Sequence, residues 1–157
     1  MKRCLILVLL AGLWVVPAQA RLGETLADLQ KRYGKPEPQA KNNKNAATWF
    51  LEGEDGQLIY TATFDAQGKS IGEGMKPVRY AKFTQETVNA FIEIQLAPYR
   101  NYQTVHTAKP GEKYTLRGKV YTAGNVETVI VDDANDLLIV WTQGATPSVM
   151  ALRSVLM

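Results

Sequence analysis

The strongest constraint on the fold is a series of short apolar segments separated by turn residues. Three of them precede residue 81 and four follow residue 112: TWFLEGE, QLIYTATF, SIGEGMKPVRY, KYTLRGKVYT, VETVIVDD, LLIVWTQG and SVMALRSVLM. Such short segments between turns are typical of strands in an antiparallel sheet. Residues 148–156 also have apolar spacing that fits a helix, and we favour a strand there.

Two of the turns have clear sequence signals. Asp55-Gly56 predicts a tight hairpin between the first two strands, and residues 65–69 predict a second turn. The glycines and Pro77 in the third segment predict a poor strand that breaks near its end.

Two short helices are predicted beside these strands. The first has an apolar face and a start at Thr25, and it ends at Gly34 before Pro36. The second starts at Thr84 and ends at Pro98, with a buried stripe at Val88, Phe91, Ile92 and Gln95.

The order α-βββ-α-ββββ predicts an α+β domain, with two short helices packed on one face of an antiparallel meander sheet. A first helix of about nine residues is too short to be stable alone and must pack on the sheet. Residues 37–47 have little to bury and are predicted to form a flexible loop, with 41–47 the most mobile part.

Residues 1–20 have the three parts of a secretory signal peptide. A basic start at Lys2-Arg3 precedes an apolar run, and Ala18-Gln19-Ala20 is a small-x-small cleavage site. The apolar run is shorter than the ~20 residues that a transmembrane helix needs. We therefore predict a cleaved leader, a single domain over 21–157, no stable membrane anchor, and a periplasmic or secreted bacterial protein.

Cysteine content and charge exclude several classes of protein. Cys4 is the only cysteine and lies in the leader, so the mature chain has neither a disulfide nor a thiolate. Outside the leader, 16 Lys and Arg stand against 15 Asp and Glu. With no basic block, nucleic acid is not an expected partner.

Catalytic and metal-binding patterns are not evident. His106 is the only histidine, and Ser70, Ser148 and Ser154 lie in no nucleophile motif. The acids of residues 132–137 lack calcium-loop spacing, and one histidine cannot build a zinc site. We predict no catalytic residues, no metal and no cofactor; an enzyme that uses carboxylates alone is a third hypothesis.

The candidate binding residues are Tyr99, Arg100 and Tyr102, which follow the second helix in a predicted loop. Tyrosine and arginine are enriched at binding hot spots because they combine a large contact area with polar tips. The alternative is that these tyrosines cover the hydrophobic core.

The segment LGETLADLQKRYGKP resembles the entry motif of small exported bacterial domains. The matching positions are Gly23, Thr25, Leu29, Tyr33, Gly34 and Pro36. The similar families are the SmpA/OmlA (BamE-like) lipoprotein domain, the β-lactamase-inhibitor-protein-like superfamily, and secreted bacterial proteins that begin RLGET after the signal. The resemblance implies a helix-on-sheet domain that binds proteins without catalysis. BamE-like proteins are lipoproteins, whereas this leader has no lipobox cysteine, so the resemblance does not imply membrane tethering.

We therefore expect an exported, non-enzymatic binding module whose partner is a protein or an envelope component. The alternative function is a small-ligand carrier with an apolar pocket between sheet and helix. Exposed aromatic residues on a convex face would favour the first, and aromatics around a cavity the second.

Overall fold

A computed structural model describes residues 21–38, 45–53, 56–79, 81–99 and 105–153. These residues contain two α-helices, a short 3-10 helix (Asp133–Asn135) and nine strands. The helices are α1 (Leu26–Tyr33) and α2 (Gln85–Leu96). The strands are β1 (Ala46–Gly53), β2 (Gly56–Phe64), β3 (Ser70–Pro77), β4 (Val105–Ala108), β5 (Lys113–Leu116), β6 (Lys119–Thr122), β7 (Glu127–Asp132), β8 (Leu137–Thr142) and β9 (Ser148–Arg153). The predicted α+β class is confirmed.

Seven strands form one antiparallel sheet in the order β1-β2-β3-β9-β8-β7-β4. It consists of two three-stranded meanders, β1-β2-β3 and β7-β8-β9, joined where β3 pairs with β9. The short strand β4 adds one edge, and β5 and β6 form a separate hairpin. The final segment is a strand, as we favoured.

Both helices form where their capping residues predict. Thr25 accepts a hydrogen bond from the Asp28 N–H, while the Asp28 carboxylate accepts one from the Thr25 N–H, which completes a capping box. Gly34, at φ 80°, ends α1. Thr84 caps α2, and its buried residues include Val88, Phe91 and Gln95 as predicted.

The first meander differs from the prediction in three places. β1 begins at Ala46, so buried Ala46 and Ala47 belong to the sheet and not to the predicted loop. Gly53 pairs with Gly56, so Gly56 belongs to β2 and not to the predicted turn, while Asp55 lies outside the described residues. β3 pairs on both sides and is a central strand, although its glycines and Pro77 predicted a poor one.

The second half contains more strands than predicted. KYTLRGKVYT folds as the β5–β6 hairpin, because Arg117 and Gly118 both take positive φ (50° and 72°) and turn the chain. β4 includes His106, whose segment was assigned to no strand.

The sheet carries a hydrophobic core on each face. On the helix face, α1 and α2 cover the larger cluster, which includes Leu29, Trp49, Tyr60, Phe91 and Ile139. On the opposite face, here called the outer face, a smaller cluster is covered by the β5–β6 hairpin and includes Tyr114, Leu116, Val129 and Leu138.

Candidate functional site

Half of the outer face has no covering element among the described residues. Paired residues in an antiparallel sheet share a face, so one row contains Thr48, Thr61, Gly74 and Met150, and the next contains Phe50, Ile59 and Lys76. Phe50 and Met150 keep 45% and 40% of their surface exposed. We call Thr48, Phe50, Ile59, Thr61 and Met150 the open patch.

The patch is closely packed despite its exposure. The hydroxyl oxygens of Thr48 and Thr61 lie 3.4 Å apart across β1 and β2. A Cβ placed on Gly74 would lie 3.1 Å from Met150 Cγ, so the Met150 side chain extends over this glycine. The missing side chain makes the middle of the patch shallow.

A groove of about 710 Å³ adjoins the patch at Ile59. Its lining combines cationic, proline and small residues, namely Ile59, Lys76, Pro77, Val78, Arg79, Ala81, Ala145, Thr146, Pro147 and Ser148. This volume lies within the range of ordinary binding pockets, roughly 300–1,000 Å³. The groove is open to solvent and contains no Asp or Glu among these lining residues.

Backbone contacts hold one wall of the groove in place. The Val78 N–H donates to Gln57 O at 2.9 Å, and the Ala81 N–H donates to Val78 O at 2.9 Å. Gly56, at φ 121°, lies so close to Ala81 that a Cβ there would be 2.8 Å from the Ala81 Cβ. The groove wall is therefore fixed against the β1–β2 hairpin.

A buried carboxylate lies on the helix face. Glu73 is 2% exposed and accepts three hydrogen bonds: from the Tyr60 hydroxyl at 2.6 Å, the Ser70 hydroxyl at 2.7 Å and the Gln95 amide at 2.9 Å. Burial raises the pKa of Glu73, while these hydrogen bonds act in the opposite direction.

The Glu73 cluster binds the segment that precedes α1. The Leu22 N–H donates to the Gln95 side-chain oxygen at 3.0 Å, and the Gly23 N–H donates to both the Ser70 carbonyl and hydroxyl oxygens. Because both carboxylate oxygens are occupied by internal donors, this cluster is a structural polar network. These hydrogen bonds hold the RLGET segment, which precedes α1, against β3 and α2.

Glu24 and Arg32 complete this attachment. Arg32 donates to both carboxylate oxygens of Glu24, at 2.6 and 2.7 Å. The ring of Tyr33, next to Arg32, packs in a tilted arrangement against Trp49 and Tyr60, and burial raises the pKa of Tyr33 to about 12. The ion pair thus joins α1 to Glu24 in the segment before it, whose carbonyl oxygen accepts from the Ser70 N–H of β3, while aromatic packing holds α1 to the sheet.

Of the three predicted binding residues, the structure places one. Tyr99 is half-buried against the helix-face core, and Arg153 donates to its hydroxyl oxygen at 3.2 Å. Arg100 and Tyr102 lie outside the described residues. For Tyr99, this position matches the alternative that the tyrosine covers the core.

Sequence reasoning missed the open patch and the groove. Trp49 and Phe50 are adjacent on one strand, and adjacent strand residues point to opposite faces. Trp49 is buried and Phe50 exposed, so this aromatic pair could have indicated an apolar side chain on the outer face of the sheet. The groove could not be found in this way, because it forms where the 77–81 and 145–148 segments meet.

The residues considered for catalysis or metal binding lie apart. His106 is exposed on β4 beside Lys113 and Tyr114. Within the described ranges, no group of three His, Cys, Asp or Glu side chains could hold a metal ion. Asp132 is buried and accepts from the Asn135 amide at 2.7 Å, so this acid belongs to a turn network.

Fold and site together define an α+β domain whose outer sheet face is left half uncovered by the described residues. No family model matches the chain, and no curated protein matches it. A solved cysteine-rich secretory protein of Staphylococcus aureus is 11% identical, with a TM-score of 0.48. The match covers 86% of this chain and 45% of that one, so the chain spans under half of that protein. None of these comparisons names the BamE-like family, so that resemblance stays a hypothesis.

Proposed function

We propose that this protein is an exported, non-enzymatic binding module that docks a partner protein of the bacterial envelope or extracellular space through the open patch. The proposal rests on the observation that only one half of the outer face is covered by another element among the described residues. The β5–β6 hairpin buries one half, while Phe50 and Met150 remain 45% and 40% exposed on the other. Exposed apolar patches bordered by polar residues are typical of protein interaction sites.

The small-ligand alternative has less support. It requires an apolar pocket between sheet and helices, but among the described residues this layer is filled by the side chains of Trp49, Tyr60, Val88 and Phe91. The groove of about 710 Å³ lies instead on the outer face and is open.

Export is part of the proposal and is supported by the leader pattern of residues 1–20, which lie outside the described residues. In the part of the chain that the structure describes, no helix is long and apolar enough to cross a bilayer.

Site-specific photocrosslinking in the source cells tests the docking face. A photoreactive phenylalanine analogue at Phe50 or Met150 should yield an adduct with the same partner protein. The same analogue at Val120 is the matched control, since this residue is 65% exposed but lies on β6, in the separate hairpin.

Thr61→Arg is a variant that should block docking, because it adds bulk and charge to the middle of the patch. The adduct from residue 150 should disappear in this variant while the melting temperature is kept. Equal adducts from patch and control positions, or none from the patch, would contradict the proposal.

A further inference from the structure

The groove beside the open patch has the chemistry of a site for negative charge. We propose that it binds an extended acidic segment of the partner protein, with two carboxylates two or three residues apart and apolar residues between them. This inference rests on the proposed function, because it identifies what the partner presents beside the open patch.

The charge argument comes from two cations. Lys76 and Arg79 are exposed, and neither forms an ion pair with another described residue. No Asp or Glu is among the described lining residues. Glu52, on β1, accepts from the Gln57 amide of β2 at 2.9 Å. Among the described residues, the groove thus has positive charge and no acidic side chain in its lining, in a chain whose net charge is only +3.

The lining of the groove favours a bound segment that is extended and has apolar residues between its two carboxylates. Pro77 and Pro147 come from the two different chain segments that line the groove, and Ile59 and Val78 are also part of the lining. Proline rings fix the backbone, and the Val78 and Ala81 hydrogen bonds hold this wall, so little ordering is needed on binding.

The spacing of the cations sets the spacing of the acids. Lys76 is on β3, and Arg79 is three residues further along the chain, in the turn that the Ala81 N–H closes. An extended chain spans ~7 Å over two residues and ~10 Å over three. The Cα atoms of Lys76 and Arg79 are three residues apart in the chain and so lie no more than ~10 Å from each other, a distance that two carboxylates of one extended segment can match.

A defined peptide tests the inference. The probe is fluorescein-labelled Pro-Glu-Val-Glu-Pro, and its counterpart carries Gln in place of both Glu. We expect the Glu peptide to bind about tenfold more tightly, since two partly exposed ion pairs together contribute about 1.4 kcal/mol, which is a factor of ten. The preference should shrink as salt is added.

Charge-reversal variants locate the site. Lys76→Glu and Arg79→Glu should each remove the preference for the Glu peptide, whereas Lys119→Glu, on the exposed β6 strand, should keep it. Amide chemical-shift changes should map to Ile59, Val78, Thr146 and Ser148. Melting temperatures confirm that all three variants are folded.

The outcomes separate the two proposals. Equal binding of both peptides, or shifts that map away from the groove, would overturn the acidic-segment inference. If crosslinks from the patch persist in that case, the docking function stands and only the partner's chemistry is wrong. Absence of patch crosslinks together with selective peptide binding would leave the groove assignment intact and overturn the docking face.

Discussion

At the scale of single residues, the buried carboxylate of Glu73 joins three elements of the fold. Its carboxylate connects Tyr60 on β2, Ser70 at the start of β3 and Gln95 on α2. Removing an acceptor with three buried donors leaves those donors unsatisfied, which costs more than the hydrogen bonds themselves contribute.

Glu73→Ala should therefore lower the free energy of unfolding by about 2–4 kcal/mol. Glu73→Gln should cost far less, because its carbonyl oxygen can accept from Tyr60 and Gln95 while its amide donates to the Ser70 hydroxyl oxygen. Denaturant unfolding of both variants at pH 7 measures the difference. Equal losses in the two variants would contradict this role.

The same residue predicts a pH dependence with a definite sign. Burial raises the folded-state pKa of Glu73 above the ordinary value of 4.5, so the folded state binds the proton more tightly than the unfolded state. The stability this provides is fully present below about pH 4.5 and is lost as pH rises through the raised pKa. The stability of wild type relative to Glu73→Gln should fall over that range in unfolding measurements, and a flat difference would refute this.

At the scale of elements, α1 is an eight-residue helix that depends on its capping residues and its attachment. Thr25→Ala removes the side-chain acceptor of the capping box and should cost about 1 kcal/mol, while Thr25→Ser should keep most of it. Thermal unfolding of the two variants checks this. A loss as large in the serine variant would show that the methyl group, not the cap, matters.

The contact between the β1–β2 hairpin and the groove wall gives a second element-scale prediction. Gly56→Ala combines positive φ with a 2.8 Å contact to the Ala81 Cβ, whereas Gly68→Ala has positive φ but open space around it. We expect the Gly68 variant to lose ~1 kcal/mol of stability and the Gly56 variant clearly more. Chemical shifts of Val78 and Arg79 should move only in the Gly56 variant.

The helices could be predicted from sequence because their signals are local. Thr25, Gly34 and Thr84 mark ends through capping chemistry that needs no tertiary contact. β3 and its end at Pro77 were also predicted, but its central position was not, since Gly72, Gly74 and Pro77 lower strand propensity and only pairing with β2 and β9 overrides it. The groove residues have no shared pattern in sequence, because two distant segments must meet to form it.

At the scale of the whole molecule, the proposed leader removal has a structural effect. The Arg21 backbone nitrogen lies 3.3 Å from a Glu24 carboxylate oxygen that also binds Arg32. Cleavage after Ala20 would turn this nitrogen into a charged amine beside the carboxylate.

A chain that begins at Arg21 should thus be more stable at pH 6, by about 0.5 kcal/mol, than one with two extra glycines before Arg21. The difference should vanish above about pH 8, where an α-amino group loses its proton. Glu24→Gln should abolish it, measured as unfolding free energy at both pH values. A difference that persists at pH 9 would point to another cause.

The junction between the two meanders also governs when folding can finish. Residues 72–75 pair with residues 149–152, so the sheet is joined by the last described strand of the chain. Contacts between such distant positions form slowly, because a long loop must close first. A chain emerging from a ribosome therefore lacks the strand that joins its halves until residues 149–152 have been made. Such a delay would suit the export proposed above, because a polypeptide that has not completed its sheet can still pass through a narrow channel.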